Sequence, residues 1–508
     1  MCSGADDCGS FATLQWRISP PQLSHQVGTL SSLPGVPDST FKAVASRWLA
    51  HPPAFKGKVI TLSKIAGFME ELLASDPFGM GDRLPYVDLK APSDNKVVAI
   101  SQRQLAFIVA NSLMGNTVNG TAEGLSAALK RCSQAGKSTF LLSLLSLLAV
   151  NSVELSGDGV LHDGTMLIGA TPTSAPVSWK QSLSNTTLEP PVICGKGSSG
   201  LGAPCNVSDF MAGGTPFQAL TDIAGGDVGG GAQLCDIAFT QDESLVQFYS
   251  EVLAFAFFTT QEGNPMLPVP FTLLGARRIV NNITGETSNK QADCGSIQPT
   301  NWLNSAILDS SRATIGLGSK NVSIVPSSFV AVASYCIDCH KPATCTPDQL
   351  LNNGCDFQRR HIDEDVGLWM AAYSPTAYNH AISAAFGTVV RRAGTGPWGA
   401  GAWLGDSQYY FLVVWLATTV GALGLDYYIY DHFCENPGNQ CFLLGGSACG
   451  ACIASGATSD TIHAARCGQK SLGDMITGFS KHTAQDLYTA LQVVGKPPAQ
   501  VFDAIKLP

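Results

Sequence analysis

Apolar residues in this chain first repeat at helical spacing and later at strand spacing. Phe41, Val44, Trp48 and Leu49 fall at i, i+3, i+7 and i+8, so one apolar stripe predicts an amphipathic helix. Residues 60–73 and 102–113 repeat the pattern, and Ser101 stands where it can cap the second of these helices. Helical spacing therefore dominates from 41 to 150, which reads as a helical accessory region. Before it, residues 1–40 are rich in Pro, Ser and Gly and read as irregular.

After residue 151 short apolar runs alternate with Gly-rich turns. Residues 165–168, 219–223, 271–274 and 328–333 read as strands, and 244–257 and 409–423 as helices between them. Strands alternating with helices predict a layered α/β domain over 151–470. Residues 445–468 read as a loop-rich, Cys-bearing insertion, and 471–508 as a closing segment with helical spacing at 474–491. The longest apolar stretches, 140–150 and 411–425, are shorter than the roughly 18–20 residues of a membrane span and read as buried helices. The opening MCSGADDCGS has no basic and apolar leader pattern and reads as no signal peptide.

The chain has 508 residues and a formal net charge of −9, which disfavours broad electrostatic capture of a polyanion. An anionic ligand would have to be held by backbone amides and a few placed side chains. Sixteen cysteines, with N-glycosylation sequons at Asn119, Asn185, Asn206, Asn282 and Asn321, hint at an oxidising, secretory history.

Two segments carry candidate chemistry. The first runs Asp222-Ile-Ala-Gly-Gly-Asp-Val-Gly229-Gly230-Gly231, then nine residues, then Gln241-Asp242-Glu243. With 52 glycines in the chain, about 0.5 such triplets arise by chance, so the setting carries the weight. A strand-like run precedes the glycines and acids follow at the start of a helical run. Glycines let backbone N–H groups approach a diphosphate without Cβ interference. The second is Thr395-Gly396-Pro397-Trp398-Gly399-Ala400-Gly401-Ala402-Trp403-Leu404-Gly405-Asp406. Its small residues suit a phosphate loop and its tryptophans suit a ribose or base; a tight strand–helix connection is the plain alternative.

Together, and in this order, the two segments resemble the signatures of the poly(ADP-ribose) glycohydrolase family. Tyr427-Tyr428-Ile429-Tyr430 resembles the family's aromatic-rich strand, and residues 101–111 its N-terminal helical segment. The resemblance covers roughly residues 40–433. It implies a macrodomain-like three-layer α/β/α sandwich behind an N-terminal helical accessory region. It further implies hydrolysis of ribose–ribose O-glycosidic bonds with no metal or cofactor. Glu243 would be general acid, then base, and Asp242 would orient substrate. Gly229, Gly230, Gly231, Gly399, Gly401 and Ala402 would enclose the diphosphate, Asp222 matches an acidic position at the end of the preceding strand, and Gln241, Gly396 and Trp398 would bind substrate. Tyr430 would stack on adenine and Trp403 lie by the terminal ribose. The implied partners are poly(ADP-ribose) or ADP-ribosylated proteins, with no membrane and no sequence-specific nucleic acid. The implied compartment is nucleus or cytoplasm, against the secretory hint above.

The chain also departs from the pattern. The spacer is one residue beyond the family's usual range, Asp242 replaces Glu, and Gly225 stands for an Asn. The stretch Asn281-Asn282-Ile283-Thr284-Gly285-Glu286 holds no tyrosine where the family has an adenine clasp. These departures suit a catalytically impaired ADP-ribose reader. The cysteines suit a disulfide-rich secreted binding protein on the same fold.

Gly136-Lys137-Ser138 resembles a P-loop, but Arg131 stands where the first glycine is required. Cys336-Ile-Asp-Cys339-His340 has c-type haem spacing, yet with Cys345 and Cys355 nearby local disulfides account for it better than haem or zinc. Cys449 and Cys452 form a second such pair, close to Cys434, Cys441 and Cys467. Arg391-Arg392 and Arg359, Arg360 and His361 read as solvated charges.

Overall fold

In the computed structural model the described residues are 12–17, 30, 32–79, 83–86, 97–115, 134–155, 163–170, 179–194, 217–224, 245, 248–255, 270–280, 302–304, 312–317, 320–333, 362–373, 380–399, 406–429, 443–452, 467–493 and 501–508. The first part of the chain runs β1 (Ala12–Arg17), α1 (Asp38–Ala50), β2 (Ala54–Phe55), β3 (Lys58–Val59), α2 (Leu62–Leu73), β4 (Arg83–Tyr86), β5 (Val97–Ser101), α3 (Gln102–Leu113) and α4 (Gln134–Glu154). Next come β6 (Thr165–Ala170), α5 (Trp179–Ser182), β7 (Val192–Cys194), β8 (Gln218–Ala224), α6 (Ser250–Phe255), β9 (Phe271–Leu274), β10 (Ala313–Leu317), β11 (Lys320–Ile324) and β12 (Ser327–Ala333). The last part holds α7 (Ile362–Tyr373), α8 (His380–Val389), β13 (Arg392–Thr395), α9 (Ser407–Val420), β14 (Gly424–Tyr428), α10 (Gly446–Cys452), α11 (Leu472–Phe479), α12 (Ala484–Val493) and α13 (Val501–Ala504).

Eight strands form one sheet in the order β5-β6-β9-β12-β8-β13-β14-β7. From β12 to β7 all neighbours are parallel, while β5, β6 and β9 pair antiparallel. Side chains alternate between two cores, as the period of a strand requires. Ile168, Leu220, Leu273, Phe329 and Tyr428 face a core built with α1 to α4. Their neighbours Leu167, Ala219, Leu274, Val330 and Tyr427 face a second core built with α7, α8, α9, α11 and α12. Helices thus cover both faces of a mostly parallel sheet, the arrangement of an α/β sandwich.

Expected elements recur with shifted ends, and some readings need correction. Residues 1–40 are not wholly irregular, because β1 pairs antiparallel with β4. Residues 97–101, inside the stretch expected to be helical, are the sheet's edge strand β5. The apolar run 411–425 is not one helix. Leu423 N–H reaches back to Thr418 O at 2.9 Å and Ala422 takes a φ of 56°, which ends α9 before β14 starts. The insertion at 445–468 holds α10. The helical spacing at 474–491 is two helices, because Thr483 and Asp486 exchange capping bonds and restart the chain as α12. Ser101 caps α3 as expected, in a reciprocal box with Gln104. Among the described residues no helix is long and apolar enough to cross a membrane.

Candidate functional site at the carboxyl edge of the parallel strands

Parallel strands end on the same edge of a sheet, and the crevice outside those ends is where open α/β sheets bind ligands. Here β8, β13 and β14 are consecutive neighbours and end at Ala224, Thr395 and Tyr428. The chain therefore leaves for the Gly229–Gly231 segment, the 396–405 segment and Tyr430 from three neighbouring strands spaced roughly 4.8 Å apart, with β8 running three residues further than β13 because Gly394 is level with Leu220.

Of the candidate residues, Asp222, Gly396, Trp398 and Gly399 are described. Asp222 lies in the last turn of pleat of β8, level with Ala331 of β12, and is fully buried. Gly396 is buried at the exit of β13, where its carbonyl accepts the Trp398 N–H at 2.7 Å. Gly399 has a φ of +70°, and a Cβ on it would lie 2.9 Å from the Tyr410 ring. Both facts require glycine there. Gly229, Gly230, Gly231, Gln241, Asp242, Glu243, Gly401, Ala402, Trp403 and Tyr430 lie outside the described residues, as do Gly225 and 281–286.

Trp398 is 2% exposed. Its ring meets Trp369 of α7 edge-on at 5.6 Å and Tyr410 of α9 edge-on at 4.9 Å. Trp369 stacks on Tyr373 at 5.3 Å, and the Tyr373 hydroxyl is hydrogen-bonded to Thr221 of β8, the residue before Asp222. One chain of aromatic contacts therefore links the exit of β13 to β8. The Trp398 Nε1 donor is buried with no acceptor among the described residues. Such a donor is costly unless a ligand or water accepts from it.

Asp406 caps α9 and accepts from the N–H groups of Gln408 at 3.0 Å and Tyr409 at 3.1 Å. A carboxylate already occupies the start of this helix, so an anion here would rely on loop amides and not on the α9 terminus. Tyr409 donates to Asp365 at 2.9 Å. Burial pushes the Asp365 carboxyl up, the Tyr409 bond offsets part of that, and Glu364 adds to it, for a value of about 7. Neither Tyr410 nor Asp365 stands out in the sequence; only their partners across the fold give them a role.

Gly136, Lys137 and Ser138 lie within α4, which is not a phosphate loop. Cys449 is bonded to Cys467, so its sulfur is not a thiolate ligand. Arg392 is not a free solvated charge: its guanidinium grips Asp426 of β14 at 2.6 to 3.0 Å, in space left by the missing Cβ of Gly424. Arg391 is exposed over the Phe217 ring. Cys336, Cys339, His340, Cys345, Cys355, Arg359, Arg360, His361, Cys434 and Cys441 lie outside the described residues.

No protein-family profile matches this chain, and no characterised protein matches its sequence significantly.

Proposed function

We propose that the protein is a macrodomain-like glycohydrolase that cleaves the ribose–ribose O-glycosidic bonds of poly(ADP-ribose) and releases ADP-ribose. The observation that carries this reading is the adjacency of β8 and β13 in parallel register. It lets the glycine-triplet segment and the 396–405 segment leave the same edge of the sheet from neighbouring strands, as two halves of one diphosphate cradle would, with β8 reaching three residues beyond β13. Buried Asp222 at one exit and the unpaired Trp398 donor at the other give the pair polar groups suited to a nucleotide.

In this scheme Glu243 protonates the leaving ribose oxygen. The bond to the anomeric carbon breaks through an oxocarbenium-like state, and the resulting carboxylate takes a proton from the attacking water. Asp242 orients the sugar, and Gln241 and the glycines hold the diphosphate. Tyr430 supplies base stacking, worth roughly 1–3 kcal/mol by substitution at comparable sites, and Trp403 packs by the terminal ribose. Glu243→Gln keeps the shape and removes the titrating group. It is expected to abolish polymer release while ADP-ribose binding, read by calorimetry, persists. Normal release by that variant would take Glu243 out of the mechanism.

Asp242 and the tyrosine-free 281–286 stretch favour a second reading, a catalytically impaired reader of ADP-ribosylated proteins. ADP-ribose binding by the wild-type protein without polymer release would select it.

A further inference from the structure

The exit of β13 is shaped by rings that come from two different helices. Trp369 of α7 closes one side of Trp398 and Tyr410 of α9 closes another. Tyr410 also fills the space in front of Gly399, where the backbone is left-handed. Its position is fixed locally, since its N–H donates to the Asp406 carbonyl at 3.0 Å in the capped first turn of α9. Tyr410 is half-buried, so its ring contributes less to the core than Tyr409 beside it, which is 1% exposed.

We propose that Tyr410 is a positioning residue of this site: its ring holds the Trp398–Gly399 turn in the shape that sets the Trp398 Nε1 donor for a diphosphate. This rests on the ADP-ribose reading above. A turn held before ligand arrives costs less ordering on binding, so losing the ring moves that cost into affinity. The ring acts on ground state and transition state alike, so KM rises while kcat holds. The relevant contact is the ring edge and face, not the hydroxyl.

The test compares wild type, Tyr410→Ala and Tyr410→Phe by calorimetry with ADP-ribose and by hydrogen exchange at the amides of residues 398 and 399. Tyr410→Ala is expected to bind roughly two- to tenfold more weakly, the scale of one edge-on aromatic pair. It is expected to exchange those amides faster without ligand. Tyr410→Phe should match wild type in both. Trp415→Phe is the control for plain helix damage, because that indole bonds Glu189 O at 2.7 Å on another side of α9. It should lower the Tm and leave affinity unchanged. Unchanged exchange in Tyr410→Ala, or equal loss in Tyr410→Phe, overturns the proposal. A wild-type protein that does not bind ADP-ribose sinks the functional reading instead, and the exchange data still decide whether Tyr410 sets the turn.

Discussion

At the residue scale, two side chains make measurable predictions. Ala422 sits at the end of α9 with a φ of 56° and is exposed. A Cβ is strained in the left-handed region and glycine is not, and no packing is lost on its removal. Ala422→Gly is expected to raise stability by about 0.5–1 kcal/mol, read by urea unfolding. Asp365 predicts a pH dependence. The folded protein holds its proton up to about pH 7, whereas an unfolded chain releases it near 3.8. Between those values the folded state binds more protons, so this group makes stability fall as pH rises from about 4 to about 7. Its immediate setting is Glu364 and the Tyr409 hydroxyl, while the nearby Asp363 is engaged with Lys180 and Tyr488. Asp365→Asn should therefore lose less Tm than wild type between pH 5 and pH 8, and equal losses would refute the assignment. Gly399 was legible in the sequence as a glycine in a small-residue string. The need for it, the Tyr410 ring, was not, because ten residues of chain lie between the two and they meet only in the fold.

At the element scale, periodicity located most of the helices and strands, and local chemistry set their ends. The strand at 218–224 is readable because alternate residues serve two cores, Leu220 one and Ala219 the other. The break in the 411–425 run is hard to read, because the helix before it and the strand after it are both buried. What divides them is a backbone reversal at Gly421 and Ala422, a feature of hydrogen bonding and not of hydropathy. Residues 97–101 were hidden among helices for a related reason: a short edge strand carries little periodic signal. Where a capping motif is present, the boundary is both legible and testable. Ser101 accepts from Gln104 N–H at 3.1 Å, and Ser101 N–H donates to Gln104 Oε1 at 2.8 Å. Ser101→Ala breaks half of that box and should cost about 1 kcal/mol of unfolding free energy, with the ADP-ribose affinity unchanged.

At the scale of the whole molecule, the first 155 residues and the sheet share one core. α1 to α4 cover the face that carries Ile168, Leu220, Leu273, Phe329 and Tyr428. Glu154 at the end of α4 accepts from Arg277 at 2.6 Å and from Lys56 at 3.2 Å, and Arg277 also grips Glu251 of α6. Arg277 and Glu251 are buried to within 1%. Removing one partner of a buried charged cluster leaves the others uncompensated, at a cost of roughly 3–5 kcal/mol. A chain starting at residue 156 would lose Glu154, the strand β5 and the helices over that face together. It is expected to be insoluble, or to unfold without a cooperative thermal transition. Supplying residues 1–155 as a separate chain should restore solubility, because the lost surface is complementary and contiguous. A soluble 156–508 chain with a sharp transition and unaltered ADP-ribose affinity would show that the N-terminal helices are an accessory after all. In that case the apolar face of the sheet must find another cover, which native-state hydrogen exchange across β6, β8 and β12 would reveal.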